Sequence, residues 1–420
     1  MRRNLTSATI LLLALHCTQV LSAPRTRHLP TASASPKAAK KGIQAELDGI
    51  VAVIPAGGPH NEMAMRASRH WRKGIKAVYV AELPATNERI AEGRQHNEFW
   101  GDYPDIWDEP WGRVHRPFDS RAAMAPFVAH QLLKREGVDY KWLLYGDDDT
   151  MWFLSAVADL LRDYDSDLPY FISDMYYFSA PPDQMNWRNG MLTEGATRCL
   201  PCNVTIPDEP WPLGHNWVPP VGCPCTKELL CDKDYRMWEF VREPLGQWSK
   251  HNCTAPWEDD EGDYYKKWMY SIDGGSGAIL SKGLMEAIDH QEMERCIRNH
   301  FVVYGGDALI SHCIWSAGYG MTQPIQSYFK PHVQMFDLGR WERRPLMNLL
   351  VDATEGNCNE LCQAQAKWQV SKHIRSRYFN NLDATEAYIK GISHLHDTYL
   401  IRVGHPLCAE IKQPPCGLYS

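Results

Sequence analysis

The chain has 420 residues, 44% of them hydrophobic, with 16 Trp and 19 Tyr, enough for a large core in one elaborated α/β domain or in two domains. Its formal net charge of -7 gives no overall electrostatic footprint for nucleic acid. No apolar run reaches the length of a confident membrane span.

Arg2 and Arg3 precede the apolar stretch Ile10–Leu15, and the small residues Ser22 and Ala23 follow. Residues 1–23 therefore read as a secretory signal peptide or a short signal-anchor. Residues 24–45 are rich in Pro, Ala, Ser and Lys and predict a flexible stem, because they cannot bury enough apolar surface to order themselves. Apart from Cys17 the cysteines are even in number, as expected for pairing in an oxidising lumen. The sequons at Asn203 and Asn252 agree with that compartment.

The first strand is expected in Gly49–Gly58, an apolar run ended by Pro and Gly, followed by a helix ending at Gly74 and a second strand over Ile75–Leu83. This βαβ order predicts a parallel sheet. A helix over Ala122–Gly137, with Pro126 in its first turn, leads to the strand Trp142–Tyr145. Ser155–Asp165 reads as the next helix and Pro169–Asp174 as a short strand. Between residues 178 and 262 the pattern dissolves into prolines, tryptophans and cysteines. The C-x-x-C and C-P-C spacings there admit zinc, but their irregularity and the oxidising compartment favour a disulfide-stapled insertion. Trp268–Ile288 then reads as strand, glycine turn and helix, and Val302–Gly318 as a loop leading into a helix. The mixed pattern after residue 340 suggests no role.

The chemistry concentrates in KWLLYGDDDTMWF, Lys141–Phe153. In an extended segment Asp147 and Asp149 would face one side and Asp148 the other. Hard oxygen ligands at a strand's C-terminal end suit Mg²⁺ or Mn²⁺, and through it a diphosphate; the alternative is an acidic turn with capping carboxylates. Carboxylates between two apolar runs are costly to bury without a counter-ion, which favours the metal. The turn Gly274–Gly277 permits close approach to the backbone, Asp307 stands at a helix start, and His332 lies in FKPHVQMF.

The four pieces WLLYGDDDTMWF, GGSGAILS, YGGDALISHCI and YFKPHVQMF, in that order and spacing, resemble the Fringe-like glycosyltransferases. This is family 31 in the broad sense, which includes the β-1,3-galactosyltransferases; the G-D-D-D-T form looks closest to its plant and fungal branch. The resemblance implies an α/β GT-A fold, Rossmann-like with a mostly parallel sheet, over residues 46–340, with the insertion at 178–262 and an extension of unknown role at 341–420. It implies an inverting transfer of a hexose or N-acetylhexosamine from a UDP-sugar to a hydroxyl of a glycan or glycoprotein, with Mn²⁺ (or Mg²⁺), in the secretory pathway or Golgi. By this resemblance Asp147, Asp149 and His332 hold the metal, and Asp147 and Asp148 face the donor. Gly274, Gly275 and Gly277 line the donor sugar, and Asp307 is the catalytic base. Arg66 and Glu82 are further candidates for donor contact. Many relatives carry two adjacent acids where Gly306 and Ala308 flank the single Asp307. A secreted glycan-binding protein that keeps the fold without turnover is the competing expectation.

Overall fold

The computed structural model describes residues 47–57, 61–72, 74–104, 118–179, 198–202, 221–230, 269–299, 305–329, 335–337, 346–374 and 382–403. The expected signal segment, the stem, both sequons, His332 and most of the Cys-rich insertion lie outside them. Among the described residues no helix is long and apolar enough to cross a membrane.

The strands, in chain order, are β1 (Ile50–Pro55), β2 (Lys76–Ala81), β3 (Glu98–Asp102), β4 (Trp142–Tyr145), β5 (Thr150–Trp152), β6 (Phe171–Ile172) and β7 (Tyr176–Ser179). They continue with β8 (Arg198–Cys199), β9 (Met269–Ile272), β10 (Ala278–Ser281), β11 (Met321–Thr322), β12 (Phe336–Asp337) and β13 (Ser371–His373). Eight of them form one mixed sheet in the order β3-β2-β1-β4-β10-β6-β11-β8. Only β10 runs against its neighbours β4 and β6; the other pairings are parallel.

Side chains alternate across this sheet with the period of two that a strand imposes. Ile50, Ala52 and Ile54 of β1, with Ala77, Tyr79, Trp142 and Leu144, face one apolar layer. Val51 and Val53, with Val78, Val80, Leu143 and Tyr145, face the other. The first layer is closed by the helices Asn61–Trp71, Leu154–Leu161 and Leu382–Arg402, and the second by Phe118–Arg135, His290–Asn299 and Gly306–Ser316. A sheet covered on both faces explains why its strands read as unbroken apolar runs.

The helix before β4 begins at Phe118, ahead of the expected Ala122, so Pro126 lies in its interior instead of its first turn. The helix Asn87–Gln95 and β3 escaped the sequence reading. That helix is polar on nearly every face, with only Gly93 buried, and an apolar stripe is what a sequence reading looks for.

The described residues after 340 pack into the same core as the main sheet, within one compact unit with the other described residues. The helix Leu382–Arg402 supplies Ile389, Ile392, Tyr399 and Leu400 to the core. Its Asp383 and Glu386 hold Arg66, and Glu386 also meets His70, both on the helix Asn61–Trp71. β13 lies between β12 and β5 in a three-stranded sheet.

Among the described residues four disulfides join Cys199–Cys225, Cys202–Cys223, Cys296–Cys313 and Cys358–Cys362. The C-x-x-C and C-P-C cysteines are thus paired with each other, which is compatible with an oxidising, secretory compartment. Cys17, Cys231, Cys253, Cys408 and Cys416 lie outside the described residues.

Candidate metal centre

β1 and β4 are parallel neighbours at the point where strand order reverses: the chain builds outward through β2 and β3, then returns to the other side of β1. In open α/β sheets, ligands sit in the crevice at the C-terminal ends of such a pair. β4 ends at Tyr145, and Gly146-Asp147-Asp148-Asp149 turns the chain before β5. The turn is closed by a hydrogen bond from Thr150 N to the Asp147 carbonyl (3.1 Å). Gly146 is bare because Thr150 folds back over it; a Cβ there would lie 2.5 Å from Thr150 Oγ1.

The loop is tied to the glycine turn between β9 and β10. Asp147 N donates to the Gly274 carbonyl (3.0 Å), and Thr150 Oγ1 donates to the Gly275 carbonyl (2.9 Å). Asp273 shapes the turn, its Oδ1 accepting from Ser276 N (3.0 Å). From the other side β13 pairs antiparallel with β5, setting His373 opposite Thr150, and Ile374 N donates to the Asp149 carbonyl (2.9 Å). This pairing places His373 Nε2 3.1 Å from Asp149 Oδ1.

Asp147, Asp149 and His373 each offer a ligand atom, and these atoms lie within 4.8 Å of one another. Two carboxylates and an imidazole are a donor set that suits Mn²⁺, and less selectively Mg²⁺. The electrostatics point the same way. Burial pushes the Asp147 carboxyl well above its ordinary range, and the charges of Asp149, Asp307, Asp148 and Asp273 push it further. Asp148 rises to about 7, through burial and the charge of Asp149, while its own backbone N–H and Arg121 oppose the rise. A divalent cation among these oxygens relieves the repulsion that otherwise forces protons onto them.

Asp307, in the first turn of the helix Gly306–Ser316, joins the same group. Its Oδ2 accepts from Gly274 N (2.9 Å) and its Oδ1 from Ala308 N (2.8 Å). A Cβ on Gly274 would lie 2.8 Å from Asp147 Oδ1 and 3.3 Å from Asp307 Cβ, so one glycine separates the two acids. A Cβ on Gly275 would run into the His373 imidazole. Gly277 adopts φ +79°, and a Cβ there would meet the Tyr145 carbonyl at 2.7 Å. Gly274 and Gly275 therefore pack directly on acids and a histidine of the cluster.

The structure thus brings together Asp147, Asp148, Asp149, Gly274, Gly275, Gly277 and Asp307. Glu82 follows β2 directly and lies half-buried at the same C-terminal edge of the sheet. Arg66 is held by Asp383 and Glu386. His332 lies outside the described residues, and the histidine seen against Asp149 is His373, which the sequence reading did not single out. Its signal is only the short Ser371-Lys372-His373 run, too brief to predict a strand or its partner.

The chain matches no protein-family model and no curated protein.

Proposed function

We propose that this protein is a metal-dependent, inverting glycosyltransferase of the GT-A type that uses a UDP-sugar and acts on a glycan or glycoprotein hydroxyl in the secretory pathway, within the Golgi or after secretion. One observation carries the reading: two carboxylates and a histidine suited to Mn²⁺ share the C-terminal edge of the sheet with a separate carboxylate, Asp307. A hydrolase working through an acid/base pair needs two carboxyl groups held apart across a bond, whereas these acids are clustered.

Asp147, Asp149 and His373 would hold the metal. When bound, Mn²⁺ supplies Lewis-acid neutralisation of the leaving diphosphate. The remaining roles belong to the chain. Asp307 takes the proton of an acceptor hydroxyl as that oxygen bonds to the anomeric carbon and the carbon–oxygen bond to the diphosphate breaks. The electron pair of the breaking bond leaves with UDP, so one displacement inverts the anomeric centre. Backbone N–H groups of Gly274 and Ala308 each donate to one Asp307 oxygen, fixing the carboxylate's orientation. The Asp147–Gly274 hydrogen bond links the position of this base to that of the metal ligands.

The test is incubation of the purified chain with a panel of UDP-sugars and Mn²⁺, measuring UDP release with and without a chelator. Release from at least one donor, abolished by chelation, is expected. No metal-dependent release from any donor would overturn the transferase reading and leave the glycan-binding alternative.

A further inference from the structure

Arg121 is the feature that this mechanism leaves unused. It lies in the first turn of the helix Phe118–Arg135 and is 4% exposed. The helix packs on the layer beneath β1 and β4, and its first turn also touches the Asp307 helix: a Cβ on Gly306 would lie 2.7 Å from both the Asp119 carbonyl and Ala122 Cβ. The guanidinium reaches the chain just after β1, where a Cβ on Gly57 would collide with Nη2. Arg121 therefore stands at the C-terminal end of β1, beside the start of the Asp307 helix, at the crevice where strand order reverses.

A buried cation there has neighbours of one sign. Asp119 lies on the same first turn, and Asp307 opens the helix whose Gly306 that turn touches. The proposed donor loses UDP, whose diphosphate carries more negative charge than one divalent cation balances. A planar guanidinium can hold two phosphate oxygens at once, and a second cation on the far side of the diphosphate completes the neutralisation.

We propose that Arg121 is a binding residue for the leaving diphosphate, taking the phosphate oxygens that face the loop after β1, and that Gly57 is bare to let the guanidinium reach them. This rests on the nucleotide-sugar reading of the same site. It assigns UDP two cationic contacts from separate elements, the metal held by the loop after β4 with β13, and Arg121 held by the helix before β4.

The experiment compares UDP with uridine monophosphate as ligands in Mn²⁺, by calorimetry, for the wild-type chain, Arg121→Ala, Arg121→Lys and Gly57→Ala. Wild type is expected to prefer UDP. Arg121→Ala should weaken UDP by about tenfold to a hundredfold, the range for a lost hydrogen bond to a charged group. It should change the monophosphate little, and nucleotide-free Mn²⁺ binding should be unchanged or tighter because a cation beside the acids is gone. Arg121→Lys should recover part of the loss, and Gly57→Ala, which keeps the charge but displaces it, should weaken UDP with metal binding intact. Equal UDP affinity in wild type and Arg121→Ala would overturn the assignment. A parallel fall of UDP affinity, nucleotide-free Mn²⁺ affinity and Tm would also overturn it, by marking Arg121 as a structural counter-ion of Asp148. If the wild-type chain bound neither nucleotide, the donor reading itself would fall, and this inference with it.

Discussion

The acidic loop and β13 meet at the candidate metal centre from sheets of very different size. Asp147–Asp149 leave a strand that sits in the middle of the eight-stranded sheet, with Leu143 and Leu144 fully buried on its opposite faces. His373 ends a three-residue strand in a small three-stranded sheet. That sheet is held by specific polar contacts: Lys372 Nζ to Asp337 Oδ2 (2.8 Å), Ser371 to the Ser276 carbonyl, and Asp174 accepting from Met335 N (2.7 Å) and Phe336 N (2.9 Å). The carboxylates thus leave the centre of the main sheet, and the histidine ends a small sheet that shares the same apolar core through Phe336, Val370 and Ile374 but adds polar contacts that single substitutions can remove. A centre built this way should lose its parts separately.

The largest expected effect falls on the group that belongs to neither support. Asp307→Asn should lower transfer by roughly 10²- to 10⁴-fold, the usual contribution of a general base. Mn²⁺ and UDP should still bind by calorimetry, with at most a modest loss of Mn²⁺ affinity from the removed negative charge beside Asp147. Normal transfer by this variant would remove Asp307 from the mechanism.

His373→Ala tests the comparison directly. It should weaken Mn²⁺ by about a hundredfold or more, since losing even a residue that only orients a ligand costs 10- to 100-fold. Tm should move little, because the central sheet does not depend on the imidazole. Unchanged Mn²⁺ affinity would show that the histidine pairs with Asp149 for structural reasons alone.

Gly275→Ala sharpens the point with a smaller change. The added methyl displaces the imidazole without touching it chemically, so Mn²⁺ affinity should fall by about tenfold, on the scale of an indirect perturbation. In a His373→Ala background the same methyl meets no ring, and the further loss should vanish. Additive losses would place the glycine's role elsewhere.

The smallest effect is a pH slope in the peripheral sheet. Burial raises the Asp174 carboxyl from 3.8 to about 7, against the backbone N–H groups of Met335 and Phe336 that favour its ionised form. The folded state therefore holds a proton that the unfolded chain releases across that window, so the contribution to stability is full below the ordinary carboxylate range. It is lost as pH rises through about 7. Thermal denaturation of the wild type should show that decline, and Asp174→Asn should flatten it. An unchanged slope in the variant would assign the decline to other acids.

The contrast in support is also a contrast in what the sequence makes legible. β1, β2 and β4 are apolar runs ended by Pro, Gly or an acidic turn, and local pattern alone locates them. The acidic triplet Asp147–Asp149 is legible because it is written beside such a strand. Asp307 is legible only through the spacing of four separated motifs, and its hydrogen bond to Gly274 N links two of them. His373 has no local signature, because the pairing of β13 with β5 is a tertiary event. The antiparallel β10 shows the same limit. The sequence reads a helix straight after the glycine turn, whereas Ala278–Ser281 form β10 and the helix starts only at Lys282; that β10 enters the central sheet beside β4, while β9 pairs with β7, is decided by packing.

The central claim is that Asp147, Asp149 and His373 form one divalent-metal site. Crystals grown with Mn²⁺ and UDP, with anomalous diffraction collected at the manganese edge, test it most directly. The account predicts one peak coordinated by Asp149 and His373, with Asp147 directed toward it and the UDP diphosphate completing the shell. A peak away from these three residues, or none in the crevice with UDP bound, would contradict it.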